Sequence, residues 1–165
     1  ESFSLQANKA KEQVRLRIAL MIGALIVACF MVADFSLLPS EMHQIYLYDR
    51  VFVQIPIILI TMVLSFWRHF SRYRAYILTA LLVALTYSNY WIIWICWREY
   101  QFAFPYEGTI LYAFYCVFAL GIPFRFAITS AVLNVIGFVV VMWFAPAYGD
   151  RMTISVGFVA ASLFT

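Results

Sequence analysis

Charge is what this sequence has least of. Asp, Glu, Lys and Arg make up 12% of its 165 residues, against about a quarter in an average soluble domain. Glycine and proline are also sparse, six and five in all. Low-complexity linkers and collagen-like repeats are thereby excluded. The two histidines, His43 and His69, lie in different polar segments, so no paired-His metal site is visible. The three cysteines, Cys29, Cys96 and Cys116, all fall inside apolar runs and do not read as a disulfide framework. There is no glycine-rich phosphate loop, no His-Glu-x-x-His and no plausible Ser/His/Asp set. A net charge of only +3 leaves no nucleic-acid footprint.

What is present is apolar. Hydrophobic residues make up 65% of the chain and the mean hydropathy is +0.89. A soluble domain of this size needs a polar outer layer and could not bury that much apolar surface. The composition therefore selects an all-α, polytopic membrane bundle. A spanning helix takes about 20 mostly apolar residues. Six fit, over about 17–36, 51–67, 75–97, 108–122, 126–144 and from 152 onward. The apolar run from Ile18 is too long for a cleavable signal. No ten-residue alternation suggests a β-barrel. The segment 1–16 reads as a basic, amphipathic lead-in, and 17–165 as the six-helix domain with its last helix cut short. A start at Glu1 and an end inside an apolar run at Thr165 lead to the expectation of a longer protein whose output domain follows.

Topology follows from the cations. Lys9, Lys11, Arg15, Arg17, Arg68, Arg72, Arg74 and Arg125 fall in one alternate set of connections, and Arg50, Arg98 and Arg151 in the other. The positive-inside rule then puts both termini in the cytoplasm.

Three groups of residues carry candidate chemistry. Tyr87, Trp91, Trp94 and Arg98 share one helix face, with Tyr90, Trp97, Ser88 and Asn89 beside it. They are either the wall of a ligand pocket or an interfacial aromatic belt. Gln54, Asn89 and Asn134 are polar residues inside spans. They either line a cavity with those aromatics or hydrogen-bond between helices. The ligand-binding candidates are thus Tyr87, Asn89, Trp91, Trp94, Gln54 and Asn134. Asp49-Arg50 at the head of the second span and Arg98-Glu99 at the foot of the third are candidate head-group or signal anchors, or solvated interface pairs. The arginine turn 68–74 is either a contact for a cytoplasmic domain or positive-inside anchoring at anionic lipid. Small-residue spacings, Ala19-xxx-Gly23 and Ala24-xxx-Ala28, make helix 1 a candidate dimer face, with Gly157, Ala160 and Ala161 on helix 6 as another.

Several short patterns recur together: Arg15-x-Arg17 leading into helix 1, Asp34 and then Leu38-Pro39, Asp49-Arg50 with Pro56 six residues on, the turn SFWRHFSRYR, and Ile122-Pro123-Phe124-Arg125-Phe126-Ala127. In this the chain resembles the six-helix membrane input region that precedes GGDEF diguanylate cyclases in bacteria; related regions precede class III adenylyl cyclases. The resemblance covers nearly the whole chain. It implies a homodimeric sensor in the bacterial inner membrane, responding to a small or hydrophobic ligand. Helix 6 would pass the signal to a cyclase that joins two GTP molecules into cyclic di-GMP. GTP and Mg would belong to that absent domain, and no cofactor to this chain. Other readings are the substrate-binding subunit of a vitamin-type transporter, an aromatic-rich sensor of the tryptophan-rich kind, and a structural dimerisation anchor.

Overall fold

In the computed structural model, residues 2–101 and 119–144 are described. They are helical throughout their elements, with no strand among them. Helix α1 runs Ser2–Leu37. A 3-10 turn, Ser40–Met42, leads into α2, His43–Tyr48. A π-helical segment, Asp49–Gln54, joins α2 to α3, Ile55–Leu64. Helix α4 runs Phe70–Tyr100 and α5 runs Phe124–Phe144. Four stretches are long and apolar enough to cross a membrane: Lys11–Ser36, Ser40–Leu64, Phe70–Tyr100 and Phe124–Phe144.

These boundaries correct the sequence reading in particular places. The basic lead-in is the first part of α1 itself, helical from Ser2. Residues 34–50, expected as a loop, are already helical from Ser40, so Asp49-Arg50 sits in the middle of a span. The expected fourth and sixth helices lie outside the described residues, apart from 119–122, as does the helix 6 dimer face.

Local chemistry explains the break in the second span. Pro56 has no N–H and its ring crowds the carbonyl four residues back, which disfavours a regular α-turn there. The backbone widens instead. Ile55 N–H bonds to Arg50 O, five residues back, as a π-turn requires. At the far end of α4, Gln101 closes the helix in the left-handed region at φ 51°. Its backbone N–H and its side-chain Nε2 both donate to Trp97 O, each at 3.0 Å.

The helix directions follow from cross-contacts. Arg17 on α1 meets Ser65 after α3, Gln13 meets Ser71, and Arg74 meets both Glu12 and Leu120 O. Tyr76 on α4 stacks edge-on against Phe126 on α5 at 4.9 Å. The start of α1, the 65–74 turn and the start of α5 therefore share one end of the bundle. Arg15, Arg17, Arg68, Arg72, Arg74 and Arg125 lie in those segments. Helices α4 and α5 run parallel, so the chain leaves the other end at Gln101 and is back at the basic end by Ala119.

Helix α4 is the central element. Of its most apolar window 56% is buried, against 28% in each of the other three stretches. Two apolar layers surround it. One, toward the basic end, joins Leu16, Leu20, Val27, Ile58, Leu78, Leu82 and Leu85. The other joins Met42, Tyr46, Tyr90, Ile93, Cys96 and Phe138. On α1 the small residues Ala19 and Gly23 are buried in this packing. Those two serve contacts within the chain, whereas Ala24 and Ala28 of the second small-residue spacing are half-buried.

Candidate functional site

Between the two apolar layers lies a polar one. Its residues come from α1 (Asp34), the π-segment (Asp49, Arg50, Gln54) and α4 (Ser88, Asn89). Asp49 and Gln54 are fully buried and Arg50 is 4% exposed. Arg50 Nε donates to Asp34 Oδ2 at 3.2 Å, and Arg50 Nη1 donates to Gln54 Oε1 at 2.6 Å. Gln54 Nε2 donates to Asp49 Oδ2 at 2.5 Å and reaches Ser88 Oγ at 3.1 Å. Ser88 Oγ donates to the other Asp49 oxygen. Asn89 Oδ1 accepts from Arg50 Nη1 and Gln54 Nε2, each at 3.4 Å. Its Nδ2 is buried without a hydrogen-bond partner.

Burial among hydrophobic helices makes such a layer expensive unless nearly every polar atom is paired. Here a guanidinium, two carboxylates and two amides bond to one another across three elements, with Asn89 Nδ2 left over. That ties α1 and the π-segment to α4 by directional bonds, which count for most where apolar surroundings remove the hydrophobic drive for helix association. Asp49 and Arg50 are thus internal groups rather than solvated interface residues. Arg98 and Glu99 are the reverse: their pair, at 3.3 Å, has side chains 63% and 57% exposed, and Arg98 lies 5.2 Å over the Trp94 ring.

The opposite face of α4 builds the second feature. Tyr87, Tyr90, Trp91 and Trp94 line a groove of about 500 Å³ against Ile136, Gly137 and Val140 of α5. Tyr87 and Tyr90 hydroxyls donate to the Leu133 and Asn134 carbonyls, each at 2.9 Å. The two rings meet edge to face at 5.6 Å. Gly137 is what admits them: a Cβ there would lie 2.8 Å from Tyr90 Cε2 and 2.9 Å from Tyr87 Cζ. Asn134 Oδ1 is buried without a hydrogen-bond partner.

The expected ligand set is therefore divided between two faces. Tyr87, Trp91 and Trp94 stand together in the groove. Gln54 and Asn89 belong to the polar layer behind it. Asn134 adjoins the groove through its backbone carbonyl. Asp34, Ser88, Tyr90 and Gly137 complete the two features; a helical-wheel reading of 87–94 separates the two faces of α4, and Asp34 stands out as a charge inside an apolar run, whereas Gly137 carries no local signal. Among the described residues no group of three or more His, Cys, Asp or Glu could hold a metal ion.

Comparison with protein-family models, with curated proteins and with solved structures finds no match.

Proposed function

We propose that the chain is the membrane-embedded sensing and dimerisation region of a bacterial inner-membrane protein, with six spans and both termini cytoplasmic. In this reading it controls a cytoplasmic nucleotide cyclase, a GGDEF diguanylate cyclase that makes cyclic di-GMP from GTP. GTP and Mg²⁺ would be held by that domain and not by this chain. Two observations support the topology: four described helices suffice to cross a bilayer, and the basic segments share one end.

The observation that carries the sensing role is the double use of one turn of α4. Residues 87–90 present Tyr87 and Tyr90 to the groove and Ser88 and Asn89 to the polar layer. Successive residues on a helix are about 100° apart, so α4 cannot rotate to widen the groove without straining the bonds to Asp49 and Gln54. A lipophilic, flat ligand that binds a wider groove more tightly would shift the bundle between two packings. It acts only through that difference in affinity.

The test uses the full-length protein in reconstituted membranes. A panel of quinones, fatty acids and apolar metabolites is screened by thermal shift and by cyclic di-GMP formation. At least one compound should change both, and the Trp91→Ala, Trp94→Ala double variant should lose both responses. Panel-wide silence would reduce the tryptophans to belt residues. A gene ending within fewer than about 50 residues of Thr165, too few for a folded domain, would remove the cyclase and favour the transporter subunit.

A further inference from the structure

We infer that the basic end of the bundle carries a binding site for an anionic phospholipid, built around Arg15. A polar cleft of about 260 Å³ lies where α1, α4 and the start of α5 meet, lined by Glu12, Arg15, Arg74 and Gly121 among others. Arg74 is committed to the protein. Its Nη1 pairs with Glu12 at 3.2 Å and its Nη2 donates to Leu120 O at 3.1 Å. Glu12, the acid of the cleft, is engaged by that pair. Arg15 is exposed and makes no hydrogen bond or ion pair among the described residues. Among the described residues the cleft thus has one uncommitted cation, with room for an anion beside it. The floor at Gly121 is open, since a Cβ there would meet only Arg74 Nη2, at 3.8 Å.

The neighbouring surface selects a lipid over a free anion. Arg15 also lines a second concavity, of about 420 Å³, with Lys11 and the exposed apolar residues Val14 and Ile18. A phosphodiester on Arg15 would place an acyl chain along Val14 and Ile18, with Lys11 adding to the positive field. Exposed Trp67, Tyr73 and Tyr76 at the same end are the residues expected at the level of head groups. Basic pockets between spanning helices are where anionic head groups are recognised. This site is separate from the aromatic groove and does not depend on the sensing role.

The experiment is lipid retention by the purified full-length protein in detergent, read by native mass spectrometry and checked by thermal shift. Phosphatidylglycerol and phosphatidylcholine are compared on the wild type, Arg15→Gln and Arg68→Gln. Arg68 is an exposed cation of the same end that does not line the cleft. Arg15→Gln should weaken phosphatidylglycerol binding about five-fold, the share of one surface cation, and leave the melting temperature of the lipid-free protein unchanged. Arg68→Gln should bind like the wild type. Equal retention of the two lipids, equal losses in both variants or no loss in Arg15→Gln would each overturn the site. Displacement of the lipid by inorganic phosphate would replace it with a simple anion site.

Discussion

Gln54 donates to Asp49 at 2.5 Å although the two are five residues apart on one span. In a regular α-helix their side chains would point about 140° apart. The π-turn between them, with its bond from Ile55 N–H to Arg50 O, brings them to the same side. A residue with no N–H, Pro56, thus stands immediately after the feature that holds the polar layer in register.

Pro56→Ala restores the missing donor and removes the ring. The span is then free to wind as a continuous α-helix, which swings Asp49 away from Gln54. The variant should be less stable by roughly 1–3 kcal/mol, the cost of leaving buried partners unsatisfied, despite alanine's better helix propensity. Thermal unfolding in detergent reads the sign. A higher melting temperature would mean that the layer does not need the π-turn.

Arg50 holds the polar layer's positive charge among the described residues, facing Asp34 directly. Arg50→Gln should cost about 3–5 kcal/mol, because it leaves buried carboxylates uncompensated. Asp34→Asn should cost less. Combined, the two should be less harmful than their sum by about 0.5–3 kcal/mol, the range for residues in direct contact. Simple additivity in chemical unfolding would remove the pair from the account.

At Gly137, an added methyl would meet two tyrosine rings at 2.8 and 2.9 Å. Gly137→Ala should destabilise by about 1–3 kcal/mol through overpacking, and should move α5 away from α4. Adding Tyr87→Leu should recover part of the loss. Melting temperatures of the three proteins decide it: no recovery would locate the strain elsewhere.

Arg17 reaches from α1 to the end of α3. It donates to Ser65 Oγ at 3.1 Å and to Ser65 O at 3.0 Å, and it stacks 3.7 Å over the Phe66 ring. A cation on the last carbonyls of a helix is favourable. Arg17→Ala should cost roughly 1–2 kcal/mol, with Arg17→Lys between it and wild type because lysine lacks the planar fork. Equal stability of the lysine and wild-type proteins would reduce the contact to charge alone.

Much of the bundle was readable from residue patterns. The long apolar runs located α1, α4 and α5, matching α5 and the end of α1 closely, but α1 begins at Ser2 rather than near 17 and α4 at Phe70 rather than near 75. The sorting of lysines and arginines anticipated which segments share an end. The second stretch begins earlier than its sequence suggests, because Asp49 and Arg50 look like a polar boundary in one dimension. Nothing local says that Asp34 and Gln54 will neutralise and bond them. The aromatic ladder was visible in its spacing, yet Gly137, forty-six residues beyond Trp91, carries no sign that it makes room for two rings.

Composition and periodicity determined the kind of element this protein uses, and made four of its described stretches long and apolar enough to cross a membrane. An excess of apolar residues in long runs leaves helices with internally paired backbones as the way to be stable. Tertiary structure alone decided what the few polar residues do. A side chain's cost or value in an apolar bundle depends on which partners reach it. Those partners come from distant segments: Asp34, Arg50 and Asn89 meet only once α1, the π-segment and α4 are packed together.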